Sequence, residues 1–219
     1  MKIAVIGATG RTGRHLIALA SARGHDVTAF TRRASALEGV PGVRVIEGDG
    51  VNIADLRRAV SGQDAVISIV AAGDLGPTRI ASTVTRALIE AMRLESVRRV
   101  LVTSSRSIGS TESGLVMAVV WGIFRYSYAD LVREETYIEE SGLDYTIVRG
   151  TRLTDARGTG RYHVDDQPNA TGGTASLARA DFALAILDAA EDPTTVGKTL
   201  GVNGPDRNTP ARPLSSSTR

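Results

Sequence analysis

Glycines recur every third residue in Gly7-Ala8-Thr9-Gly10-Arg11-Thr12-Gly13, and this spacing suits one kind of chemistry. A glycine at each turn lets the chain reverse tightly, lets backbone amides approach a ligand closely, and lets the following helix pack on the preceding strand. Apolar residues precede the loop at Lys2–Ile6, and Leu16, Ile17 and Leu19 follow it at helical spacing. A strand, a glycine turn and a helix start in that order aim the helix amides and dipole at an anion, as a dinucleotide pyrophosphate requires. A plain turn is the competing reading, and the flanking elements weigh against it. The end of the next β-rich run carries Thr31-Arg32-Arg33, where a site for NAD places a carboxylate to accept from the ribose hydroxyls. Two guanidinium forks there suit a 2′-phosphate, which a carboxylate would repel. The expected cofactor is therefore NADP(H) in preference to NAD(H), against the alternative of two solvated surface arginines.

The residues that are scarce bound the chemistry as firmly. The 219-residue chain has no cysteine, which closes thiol nucleophiles, thiolate zinc sites, iron–sulfur clusters and disulfides. Of its 26 basic residues only Lys2 and Lys198 are lysines, so a mechanism built on a central lysine is in difficulty. His15, His25 and His163 have no partners at ligand spacing, and no metal site is expected. The run Glu134, Glu135, Glu139 and Glu140 reads as a solvated helix face. A net charge of +2 from scattered arginines, with 4% aromatic residues, argues against a nucleic-acid surface. The apolar stretch Gly114 to Phe124 is too short to span a bilayer, and its default reading is buried core, with a lid over the substrate as the alternative. Met1 runs straight into a strand, so no secretory leader and a cytoplasmic location are expected. The expected partner is a small-molecule substrate, with no nucleic acid and no membrane; the oligomeric state does not follow from the sequence.

These residues need a scaffold, and its outline is a regular alternation. Strands are expected at Lys2–Ile6, Asp26–Thr31, Val43–Glu47, Ala65–Ile69, Arg99–Thr103, Tyr145–Arg149 and Thr199–Val202. Helices are expected at Gly10–Ala22, Ile53–Val60, Thr78–Met92, Leu115–Glu140 and Ser176–Ala190. Pro77 suits the opening of the third helix, and Gly24 and Gly142 suit left-handed helix stops. Right-handed crossovers make this an α/β, Rossmann-like doubly wound parallel sheet with helices on both faces. Residues 1–203 form a single domain, in which 151–175 and 191–203 contribute a small C-terminal substrate lobe. The Gly-, Thr- and Asp-rich stretch Thr151 to Thr174 reads as an irregular loop, and 204–219 as a mobile tail.

The motifs GATGRTG, Gly48-Asp49-Gly50, Val70-Ala71-Ala72-Gly73, Val102-Thr103-Ser104-Ser105 and Ser141-Gly142-Leu143-Asp144-Tyr145-Thr146-Ile147-Val148-Arg149 together resemble the short-chain dehydrogenase/reductase superfamily. The likeness is to its atypical and extended branches, in particular the NAD(P)H-binding, NmrA-like group that includes biliverdin reductase B/flavin reductase. The resemblance implies that Thr9, Arg11 and Thr12 hold the pyrophosphate beside Gly7, Gly10 and Gly13. It further implies that Asp49 and Gly50 lie by the adenine, that Ala71, Ala72 and Gly73 cover the ribose, and that Ser104 sits near the nicotinamide. Standard members of the superfamily also carry a Tyr-x-x-x-Lys pair. Here its places fall at Ser127 and Leu131, so the dyad is missing, and Arg125 and Arg133 do not have its spacing. Direct hydride transfer to a flavin, quinone or conjugated acceptor, protonated by water, is one mechanism left open. Acid catalysis by Tyr126 or Tyr128 with Ser107 as carbonyl anchor is another, against the reading of both tyrosines as packing residues. A non-catalytic NADP(H)-sensing regulator is the third, and a sugar-nucleotide epimerase or dehydratase is disfavoured by the missing dyad. Glu135 matches an acid of the family that would brace the site, and His163 reads as a loop residue in the substrate region.

Overall fold

Along the first strand, alternate side chains belong to two different cores. In a computed structural model of the protein, Ile3 and Val5 of β1 (Lys2–Ile6) join one apolar cluster, whereas Ala4 and Ile6 join another. That period of two is what a strand buried on both faces produces. The structure describes residues 1–71, 76–108, 115–166, 172–206 and 209–210, without the side chains of 115–118, 120 and 121.

The chain continues through α1 (Arg11–Ala22), β2 (Asp26–Thr31), β3 (Val43–Glu47), α2 (Ile53–Val60), β4 (Ala65–Ser68), α3 (Ile80–Leu94), β5 (Arg99–Ser105) and α4 (Leu115–Glu139). It then forms β6 (Asp144–Gly150), β7 (Arg152–Thr154), β8 (His163–Asp165), β9 (Ser176–Ala178), α5 (Arg179–Glu191) and β10 (Lys198–Asn203). The main sheet runs β3-β2-β1-β4-β5-β6-β10-β8, with β8 antiparallel to β10 and the other neighbours parallel. Helices α1 and α5 cover the face that holds Ile3 and Val5. The other face takes Leu56 of α2, Leu88 and Met92 of α3, and Ile138 of α4. After β1 the chain builds outward through β2 and β3, then returns to start β4 on the opposite side. The carboxyl ends of β1 and β4 therefore diverge into a crevice, the place where open α/β sheets bind ligands.

Several expected boundaries move. The third helix starts at Ile80, not Thr78, and runs to Leu94; Pro77 lies ahead of Arg79, its cap residue. Ser176–Ala178 is a strand that pairs with β7 in a small second sheet, so the last helix begins only at Arg179. The stretch expected as an irregular loop thus holds β7 and β8. Gly204 bridges Thr174, and buried Thr209 takes the guanidinium of Arg161 on its carbonyl, so the start of the expected tail is packed. Gly24 and Gly142 do take left-handed backbones, with φ of 79° and 69°.

Candidate functional site

The crevice is a cleft of about 270 Å³ whose walls come from four strand ends and one helix. β1 and its loop supply Ile6, Gly7, Thr9 and Gly10, and β2 supplies Phe30, Thr31 and Arg32. Asp49 and Gly50 follow β3, Ile69 to Ala71 follow β4, and Ile80 and Val84 come from the first turns of α3. Gly7 has φ of 87°, and a Cβ there would run into the Ile69 carbonyl oxygen; a Cβ on Gly13 would meet the Gly7 carbonyl. The loop therefore has its shape only with glycine at both places. The cap of α1 is Gly10, which offers no side-chain acceptor, and the first turn carries no acid. The first amides of α1 consequently keep their donors and the positive end of the helix dipole for an anion. A turn in which Thr31 Oγ1 accepts from the Arg33 amide, and Glu47 accepts from the Ala34 amide at 2.7 Å, fixes the backbone that carries Arg32.

Of the residues expected to hold cofactor, Gly7, Thr9, Gly10, Arg32, Asp49, Gly50 and Ala71 come together in this cleft. Thr12 and Gly13 are buried behind it in α1. Arg33 caps the short turn after β2 and is not among the lining residues. Arg11, exposed at the start of α1, pairs with Asp155 at 2.9 Å. Asp155 in turn takes Arg179 of α5 at 2.6 Å, tying the phosphate loop to the segment after β7 and to α5. Ala72 and Gly73 lie outside the described residues.

The carboxyl end of β5 presents Ser104, whose buried Oγ has no hydrogen-bond partner. Beyond it, the Arg106 amide donates to Gly150, and the guanidinium crosses to Asn203 Oδ1 at the end of β10. The Ser107 amide donates to Ser105 Oγ. The expected catalytic tyrosines look different in place. Tyr128 is buried, with its ring 5.8 Å from that of Phe124, which is a packing role. Tyr126 lies under the Arg125 guanidinium, 4.5 Å from it, and its hydroxyl takes an Arg125 N–H.

The acids of α4 are a second correction. Glu134 and Glu135, expected as a solvated face, are buried. Glu135 receives Arg149 through two N–H groups at 2.9 and 2.6 Å, and Arg149 also donates to the Ile108 carbonyl, so the pair braces the segment after β5. Glu134 accepts from Thr85 Oγ1 at 2.7 Å and has its other oxygen unpartnered; burial pushes its carboxyl up to about 8, helped by Asp130 and Glu135 nearby. Asp130 accepts from the Ala81 and Ser82 amides and from Ser82 Oγ, so an acid on α4 caps α3. The described part of the apolar stretch is not core, since Val119, Ile123 and Phe124 are exposed; Trp121 lies outside the described side chains.

Residues 7–193 match the model of the NAD(P)H-binding family. The chain belongs to that family. Among curated relatives, the uncharacterized chloroplastic protein At2g34460 of Arabidopsis thaliana is 27% identical over 73% of the chain, which spans 61% of that protein's length. Among solved structures, the oxidoreductase ylbE from Lactococcus lactis superposes with a TM-score of 0.81 at 20% identity, over 98% of this chain and 93% of that one. A short-chain dehydrogenase/reductase from Veillonella parvula in complex with NADP gives 0.78 at 20% identity, over 99% of both chains. ChuY, an anaerobillin reductase from Escherichia coli O157:H7, gives 0.78 at 22% identity, over 96% of this chain and all of the other. These likenesses carry the Rossmann-like fold.

A family dinucleotide fits the residues present. The uncapped start of α1 and the glycine cradle suit its pyrophosphate, Arg32 and Asp49 line the same cleft, and the buried Ser104 hydroxyl has no partner of its own. Reading the sequence missed Asp130, Asp155 and Asp181. Asp181 is buried and binds the Thr159 and Gly160 amides and the Thr159 hydroxyl, which fixes the loop after β7. Each of these acids acts on a partner more than 20 residues away, so no local pattern announces it.

Proposed function

We propose that the protein is an NADPH-dependent reductase that passes hydride to a small planar acceptor such as a flavin or quinone. The observation that carries this reading is Arg32 in the wall of the same cleft as the uncapped glycine loop. A permanent cation at the end of β2 suits a 2′-phosphate, and no carboxylate stands in the place that would select a free ribose. Bound NADPH supplies the hydride. The residues bind and orient it: the loop and the α1 amides take the pyrophosphate, Asp49 and Gly50 border the adenine, and Ser104 donates to or accepts from the carboxamide end.

The proton comes from water in this reading. Neither lysine of the chain lies on α4, Tyr128 is packed away, and Tyr126 is engaged with Arg125. Acceptors whose reduced forms are readily protonated need no positioned acid. Protein mixed with NADPH and a panel of flavins and quinones should consume nicotinamide absorbance faster than cofactor alone.

The same engagement of both tyrosines favours a second reading, an NADP(H)-sensing protein without catalysis. Tight NADPH binding with no turnover on any acceptor would decide for it.

A further inference from the structure

On the far side of the start of α3 from the cofactor cleft lies a groove of about 320 Å³, lined by Pro77, Thr78, Arg79, Tyr126, Ala129 and Arg133. The two cavities share a wall, because Ile80 lines the cleft and its neighbour Arg79 lines the groove. We infer that this groove is an anion site, which takes a phosphate or carboxylate arm of the acceptor through Arg79 and Arg133.

The groove carries an excess of positive charge. Arg133 Nη1 is buried and has no hydrogen-bond partner, and the carboxylate beside it, Asp130 Oδ1, stands 3.8 Å away. Asp130 cannot turn to it, being held by the Ala81 and Ser82 amides and the Ser82 hydroxyl of α3. Arg79 has no carboxylate partner among the described residues, and a third guanidinium, Arg125, lies over the Tyr126 ring with an N–H on its hydroxyl. Two arginines thus line one groove that has no acid among its lining residues, and the carboxylate nearest Arg133, Asp130, already serves a helix terminus. The rest of the Arg133 side chain is about a third exposed at the groove, and a planar guanidinium fork is best satisfied by a phosphate or carboxylate. Thr78 and the Tyr126 ring would contribute a hydroxyl and an apolar floor beside the charge.

The inference rests on the reductase reading only in naming the acceptor as the source of the anion. Binding of FMN and of riboflavin, which share a ring system and differ by one phosphate, is measured by flavin fluorescence without NADPH. FMN is expected to bind about tenfold more tightly than riboflavin, and the ratio to fall towards one in the double variant Arg79→Gln, Arg133→Gln. Arg98→Gln, which alters an arginine paired with Asp144 at the opposite end of β5, serves as the charge-matched control and should leave the ratio alone. Equal binding of the two flavins by the unaltered protein, an unmoved ratio in the double variant, or no binding of either flavin overturns the site. FMN bound in preference but never reduced by NADPH would sink the reductase and keep the anion site. FMN and riboflavin reduced with equal KM would do the reverse.

Discussion

Replacing Glu134 by Gln should make the protein more stable, and by an amount that grows with pH. The carboxyl is fully buried, its Oε1 takes the Thr85 hydroxyl at 2.7 Å, and burial holds its pKa up at about 8 against 4.5 for a solvated glutamate. A folded-state pKa above the unfolded one means that the folded protein keeps a proton which the unfolded chain releases. Below the unfolded value the group costs nothing; as pH rises towards 8 the cost grows by roughly 1.4 kcal/mol per unit, reaching about 3 kcal/mol at pH 7 and about 5 kcal/mol once the folded value is passed. Glutamine retains an oxygen for Thr85 and cannot ionise. Its amide N–H groups replace an oxygen that already has no partner, so the unsatisfied group is exchanged, not added. Urea unfolding at a series of pH values should therefore give nearly equal stabilities near pH 4 and a widening advantage for Glu134→Gln up to about pH 8. A difference that stays flat with pH would refute the assignment of Glu134 as a buried neutral acid.

Three further outcomes test the cleft and the lobe. Arg32→Glu should weaken NADPH binding by about a hundredfold while changing NADH binding only a few-fold, because the variant sets a like charge against a 2′-phosphate that NADH lacks; equal losses in calorimetric titrations would remove the preference for NADPH. Gly13→Ala places a methyl against the Gly7 carbonyl and the Ala8 backbone, and should cost roughly 1–3 kcal/mol in thermal unfolding together with at least tenfold in NADPH affinity. Asp181→Asn turns an amide N–H group towards the Thr159 and Gly160 donors. Hydrogen exchange should then accelerate at those two amides while the core of β1 stays protected.

What the sequence made legible was whatever is local. The glycine loop, the strand ends and the left-handed stops each depend on residues within a few positions, and the cleft draws together seven of the residues expected in it. The second sheet was hidden because Ser176–Ala178 is short and runs directly into α5, so its apolar residues read as the helix's own first turn. The acids of α4 misled for a different reason. A run of glutamates on a long helix is usually solvated, and only the partners Thr85 on α3 and Arg149 on β6 turn Glu134 and Glu135 inward. Arg11 was expected to hold the pyrophosphate, yet Asp155 pairs with it and with Arg179 of α5, a contact no local pattern announces.

The scarcity of lysine and the burial of those acids have a common consequence on α4. Asp130 and Glu134 stand one turn apart and face α3, where the first caps the helix and the second meets Thr85. Arg133 falls on a neighbouring stripe with Tyr126 and Ala129, at the groove. Asp130 and Glu134 thus turn towards the core while Arg133 reaches the groove. Asp130 is held by amide donors and stands 3.8 Å from Arg133 as its only nearby ion pair among the described residues, and Glu134 is neutral below a pH of about 8. Where a Tyr-x-x-x-Lys pair would bring a proton and a cation to the cofactor, α4 instead carries Ser127 and Leu131 and presents its cations one face away. Such a helix is poorly equipped to protonate a ketone. If the groove takes an anionic acceptor as inferred, α4 would hold it beside the start of α3, the helix that Asp130 caps and that carries Ile80 and Val84 into the cleft.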